Sequence, residues 1–100
     1  LPLNRLDGSS LLLRCHHRTG GHEVALGNLK TGSRTAVAFR GFDYCVLWKP
    51  FAQAPFVCIE PWNGLPAHLG ETGNFEDKPY AIKLEVGGTY SVGYKVKIIE

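Results

Sequence analysis

Apolar and polar residues alternate with a period of two along much of this chain, and no segment carries a sustained helical period with caps. The alternation is cleanest near the end. Tyr80, Ile82 and Leu84 alternate with Ala81, Lys83 and Glu85, and Tyr90, Val92, Tyr94, Val96 and Ile98 alternate with Ser91, Gly93, Lys95 and Lys97. A period of two sends successive side chains to opposite faces of a sheet. It predicts two terminal strands, each with one buried and one wet face, turned at Gly87-Gly88. Upstream, the runs Leu11–Cys15, His22–Leu26, Arg34–Phe39, Asp43–Trp48 and Phe56–Glu60 are separated by Gly- and Pro-containing breaks, with Thr31-Gly32-Ser33 as a hairpin turn. About seven short strands at this spacing, with no helix between them, predict an all-β fold, an antiparallel β-sandwich.

A chain of 100 residues forms one domain, so residues 1–100 are expected to be a single β-sandwich portion. With 44% hydrophobic and 20% charged residues, it has globular rather than disordered composition. The net charge of +2 is dispersed, unlike the clustered basic face of a nucleic-acid binder. No apolar run is long enough for a membrane span. The chain begins Leu1-Pro2-Leu3, contains no Met and shows no signal-peptide pattern. These features suggest a piece trimmed from a longer, cytoplasmic protein. Cys15, Cys45 and Cys58 lie in or at the end of apolar runs and show no CxxC spacing. Free thiols are the expectation, with a disulfide between two of them as the alternative.

The stretch with chemical content is Pro55–Gly64, Pro-Phe-Val-Cys-Ile-Glu-Pro-Trp-Asn-Gly. The strand period puts Phe56, Cys58 and Glu60 on one face and Val57 and Ile59 on the other. Pro61 biases Glu60 to an extended backbone. Glu60 is therefore a carboxylate leaving an apolar surface, suited to act as a general base. The plainer alternative is a strand-end glutamate that bonds a turn or pairs with a lysine. Trp62, two residues on, offers an indole face for the apolar side of a sugar ring, or simply packs in the core. Leu65–Lys78 is the longest segment without a strand pattern, and long loops of this kind often carry function. Lys78 at its end either closes the loop over the Glu60 region by a salt bridge or is an exposed lysine. His16 and His17 are adjacent and point apart in a strand, so they are poor chelators of one metal. No HxH or HExxH spacing exists. His68 is a loop histidine, more often solvated than ligating. No phosphate-binding glycine loop or GxSxG element is present.

The run Leu47-Trp48-Lys49-Pro50 with Pro55–Gly64, then Asn74-Phe75-Glu76-Asp77-Lys78 and Leu84-Glu85-Val86-Gly87-Gly88-Thr89-Tyr90, resembles the aldose 1-epimerase (galactose mutarotase) superfamily, and most closely its aldose 1-epimerase-like branch. The resemblance runs from about Arg34 to the C-terminus and covers only the C-terminal part of that family's large β-sandwich, a galactose mutarotase-like super-sandwich. It implies an isomerase that interconverts sugar anomers, with Glu60 as general base and neither metal nor cofactor. Asp7 is the nearest match to the family's sugar-binding aspartate, and Trp62 and Lys78 fall in substrate-binding stretches. The family's acid histidines lie upstream, and none of His16, His17, His22 or His68 matches them. The implied partners are an aldose sugar or sugar phosphate, and the missing N-terminal portion or a second copy that covers the open sheet. Nucleic acid and membrane are not expected partners. A non-catalytic carbohydrate-binding or sensing module of the same fold is the alternative.

Overall fold

The computed structural model describes the backbone of residues 3–7, 10–15 and 20–100, and the side chains of Cys15 and residues 20–100. Seven strands run in chain order: β1 (Leu3–Asp7), β2 (Ser10–Arg14), β3 (Gly21–Gly27), β4 (Arg34–Arg40), β5 (Tyr44–Trp48), β6 (Cys58–Trp62) and β7 (Gly93–Ile99). They form a four-stranded sheet of order β1-β2-β5-β6 and a three-stranded sheet of order β3-β4-β7. Every pairing is antiparallel. The protein is all-β, an antiparallel sandwich. The one helical turn among the described residues is the 3₁₀ turn Phe75–Asp77.

The core between the sheets follows from the pleat. Val24 on β3 lies opposite Val37 on β4, and Phe39 is next along that face. These side chains meet Cys15, Phe42, Cys45 and Ile59 in one apolar cluster. On the four-stranded sheet, Cys45 and Leu47 face inward with Ile59 and Pro61. Tyr44, Val46 and Trp48 face outward with Cys58, Glu60 and Trp62. That face assignment for Asp43–Trp48 and for Cys58–Glu60 matches the sequence period. Phe56 does not join it, because β6 starts only at Cys58 and Phe56 is exposed. Pro61 is tolerated inside β6 because β6 is an edge strand, where one missing N–H leaves no ladder bond unmade.

The β3–β4 turn is built as expected. Asn28 Oδ1 accepts hydrogen bonds from the N–H groups of Lys30 and Thr31, and Gly32 supplies the left-handed residue at φ 76°. Two expectations fail. The first is the strand over Tyr80–Glu85: this segment pairs with no ladder, and Leu3–Asp7, which shows no clean alternation, forms a strand in its place. Residues 85–88 do turn, with Gly88 N–H donating to Glu85 O at 2.8 Å, but the turn joins two irregular segments. The second is the buried face of the last strand. Tyr94, Val96 and Ile98 remain 62%, 57% and 74% exposed, although they share a face with Phe39, Val37 and Thr35. Alternation reports which residues share a face. It does not report whether a second layer covers that face.

Candidate functional site

The outer face of the four-stranded sheet collects the residues with chemistry. Glu60 lies opposite Val46, Trp62 opposite Tyr44, and Cys58 opposite Trp48. Tyr44 and Val46 are buried, and Trp48, Trp62 and Leu65 pack against them. The result is an aromatic floor with one carboxylate standing on it. The indole N–H of Trp62 donates to Glu60 Oε2 at 3.0 Å. A half-buried indole needs such an acceptor, and the bond holds the carboxylate in one orientation. Glu60 therefore neither bonds a turn nor pairs with a lysine among the described residues. Its other oxygen, Oε1, takes no hydrogen bond from the described residues and can accept one from a ligand hydroxyl.

The end of β6 is pinned by Asn63. Its Oδ1 accepts from Asp43 N–H at 3.2 Å, and its Nδ2 donates to Gly41 O at 3.1 Å and to the Tyr90 hydroxyl at 2.7 Å. Tyr90 in turn donates to Gly41 O at 3.0 Å. The turn before β5, the end of β6 and the C-terminal segment are thus tied within one residue of Trp62. Asn63 and Tyr90 lie in stretches that the sequence singles out, but nothing in it pairs them. An asparagine before a glycine suggests only a turn, and its partners lie 20 to 27 residues away.

A cleft of about 510 Å³ opens beside Trp62, lined by Pro61, Leu65, Phe75, Lys78 and Ile82 among others. A larger one, about 600 Å³, lies on the other sheet beside His22, Phe39 and Tyr94 and contains neither Glu60 nor Trp62. The smaller cleft includes Trp62, the hydrogen-bond partner of Glu60, although Glu60 itself is not part of its lining. Lys78 reaches its wall, but its ammonium is taken up within the loop, donating to Glu71 Oε1 at 2.7 Å. His68 Nδ1 lies 3.0 Å from the same oxygen. The Lys78 hydrogen bond holds the Glu71 carboxyl below the ordinary carboxylate range. Lys78 is therefore neither bridged to Glu60 nor an exposed lysine: it pairs with Glu71 in its own loop, with its side chain 23% exposed.

Asp7 sits at the end of β1, opposite Ser10, after a register shift between Arg5 and Asp7. Ser10 lies opposite Trp48, and Trp48 opposite Cys58. β1 and β6 are the two edges of the sheet, three strand spacings or about 14 Å apart, so two strands lie between the backbone of Asp7 and that of Glu60. His16 and His17 lie outside the described residues. His22 is on β3 with its ring 5.7 Å from that of Phe39, on the inner face of the other sheet. Neither His22 nor His68 joins Glu60. Among the described residues, no three His, Cys, Asp or Glu side chains come together as metal ligands do. The three cysteines are free thiols, with Cys15 and Cys45 buried.

The fold and site define a two-sheet antiparallel β-sandwich with an acid/base-capable carboxylate on an aromatic sheet face. Over 82 residues the chain is 33% identical to two proteins of Lactococcus lactis subsp. lactis, Protein LacX, plasmid, and Protein LacX, chromosomal. The aligned stretch is 82% of this chain and 27% of each relative, so the chain spans about a quarter of their length. No protein-family profile matches the chain, and no solved structure does. No helix among the described residues is long and apolar enough to cross a membrane.

Proposed function

We propose that the full-length protein is an aldose 1-epimerase-like isomerase with Glu60 as its general base. The observation that carries this reading is the Glu60 carboxylate, oriented by the Trp62 indole N–H and set beside Trp48 and Trp62, which pack over the buried Tyr44 and Val46. An aromatic floor suits the C–H face of a pyranose, and the carboxylate suits its hydroxyls. In the proposed reaction Glu60 takes the proton of the C1 hydroxyl while a histidine from outside this chain protonates the ring oxygen. The C1–O5 bond breaks, and C1 becomes a carbonyl. Rotation about C1–C2 and the reverse proton transfers close the ring as the other anomer. No redox change occurs, so the reading requires no cofactor. The acid, and the layer that covers Tyr94, Val96 and Ile98, belong in this reading to the remaining part of the full-length protein or to a second copy. The substrate is an aldose or its phosphate, and the compartment proposed is the cytoplasm.

Glu60→Gln keeps the Trp62 contact but removes the base. Its loss is expected to slow anomer interconversion by about 10²–10⁴-fold, followed by polarimetry on the full-length protein. Near-wild-type rates in that variant would sink the assignment. A second reading is a carbohydrate-binding or sensing module, which the oriented carboxylate and the aromatic residues beside it would serve equally well. Sugar binding without any acceleration of mutarotation by the wild-type protein would select it.

A further inference from the structure

Seven residues among those described have φ in the left-handed region, and six are glycines; the seventh is Tyr80, at φ 63°. A bulky side chain there is strained, because its Cβ crowds the neighbouring backbone. Pro79 precedes it, and a proline followed by a positive-φ residue is the pattern of a type II turn, whose second position calls for glycine or asparagine. Sterics alone would place glycine at residue 80. Core packing accounts for only part of the ring, since Tyr80 is 42% exposed.

What the ring does is visible in its contacts. Tyr80 stands edge-to-face on Tyr44, with centroids 5.4 Å apart and planes at 87°. Tyr44 is buried, lies opposite Trp62, and Trp62 holds Glu60. The neighbours of Tyr80 in sequence, Pro79, Ala81 and Ile82, line the cleft beside Trp62. Tyr80 is thus a half-exposed ring standing on Tyr44 at the edge of the aromatic floor, and the residues on either side of it, though not the ring itself, line the cleft. Strained residues held by their surroundings gather at ligand sites.

We infer that Tyr80 is a substrate-binding residue, a side wall whose exposed face packs against the C–H face of a neutral aldopyranose held on Trp62 beside Glu60. This inference rests on the carbohydrate reading and adds a binding determinant to it. The left-handed turn is what lifts the ring out of the backbone path onto the sheet face.

The test uses the full-length protein with D-glucose and D-galactose as probes, titrated calorimetrically, alongside thermal unfolding. Tyr80→Gly and Tyr80→Asn both suit the turn and remove the ring. Each is expected to weaken binding of the better-bound sugar by about tenfold while leaving the unfolding midpoint unchanged or higher. Tyr80→Phe, which restores the ring, is expected to recover the affinity to within about threefold. Wild-type affinity in both ringless variants overturns the assignment and leaves the carbohydrate reading standing. So does a fall in midpoint with no change in affinity, which makes the ring structural. If the wild-type protein neither binds nor interconverts either sugar, the carbohydrate reading fails and the assignment falls with it.

Discussion

Asn63→Ala tests how the strand that carries Glu60 and Trp62 is held. The amide makes three hydrogen bonds, to Asp43 N–H, Gly41 O and the Tyr90 hydroxyl. At a net of about 1 kcal/mol each they sum to about 3 kcal/mol. Two partners keep a second bond in the variant. Asp43 N–H still donates to Trp62 O at 3.2 Å, and Gly41 O still accepts from Tyr90 at 3.0 Å. With those groups not orphaned, the expected loss falls to about 2 kcal/mol. Tyr90→Phe removes the hydroxyl bonds to Asn63 and Gly41 and is expected to cost about 1–2 kcal/mol. The Asn63–Tyr90 bond is counted in both single variants, so the double variant should be less destabilised than the sum by about 1 kcal/mol. Urea unfolding of the full-length protein measures this cycle, provided that the slope with denaturant is the same in all four proteins. Additivity within about 0.5 kcal/mol would refute the reasoning, because it would mean that the two side chains do not share a bond.

Gly41 has φ 87°, and a Cβ on it would meet Val92 Cγ1 at 3.2 Å, whereas Gly32, at φ 76°, has nothing within 4 Å. Gly32→Ala is expected to cost about 1–2 kcal/mol from the backbone alone and Gly41→Ala measurably more, compared by their thermal midpoints; equal losses would remove the contact with Val92 from the account. Burial pushes the Cys45 thiol up to about 11, with the neighbouring Cys15 adding to the shift, and burial raises Cys15 as well. A thiol-specific reagent at pH 8 should therefore label Cys58 first, and Cys15 and Cys45 only on unfolding. The unfolded chain releases the Cys45 proton near the ordinary value of 9.0, the folded chain only near 11, so the folded state binds more protons between them. Stability should be intact below about pH 9 and fall as pH rises toward 11, and Cys45→Ala or Cys45→Val should flatten that decline in pH-dependent melts.

The strands legible in the sequence were those whose turns carry their own chemistry. Thr31-Gly32-Ser33 set the β3–β4 hairpin locally, and the alternation from Tyr44 to Trp48 named both faces of β5 correctly. Tyr80–Glu85 alternates as well as any strand here but pairs with none. A strand needs a neighbour for its backbone, and a period of two contains no information about one. Leu3–Asp7 is the converse case, a poor pattern drawn into the sheet by pairing with β2. The site was partly legible. Glu60 and Trp62 stood out because a carboxylate and an indole two residues apart in a strand must share a face. For Lys78 the sequence left open a salt bridge over the Glu60 region or an exposed side chain, and it pairs instead with Glu71, seven residues back in the same loop.

The sequence alone therefore determined the class of fold, the face shared by Glu60 and Trp62, and the turn at Thr31-Gly32-Ser33, because each depends on residues a few positions apart. Tertiary structure decided what lies across from them: Tyr44 opposite Trp62, Asn63 clamped to Tyr90, and a Tyr80 ring set on Tyr44 by a turn that favours glycine. Those contacts depend on strand order and register, and these are set by how the whole chain buries its apolar faces rather than by any local spacing.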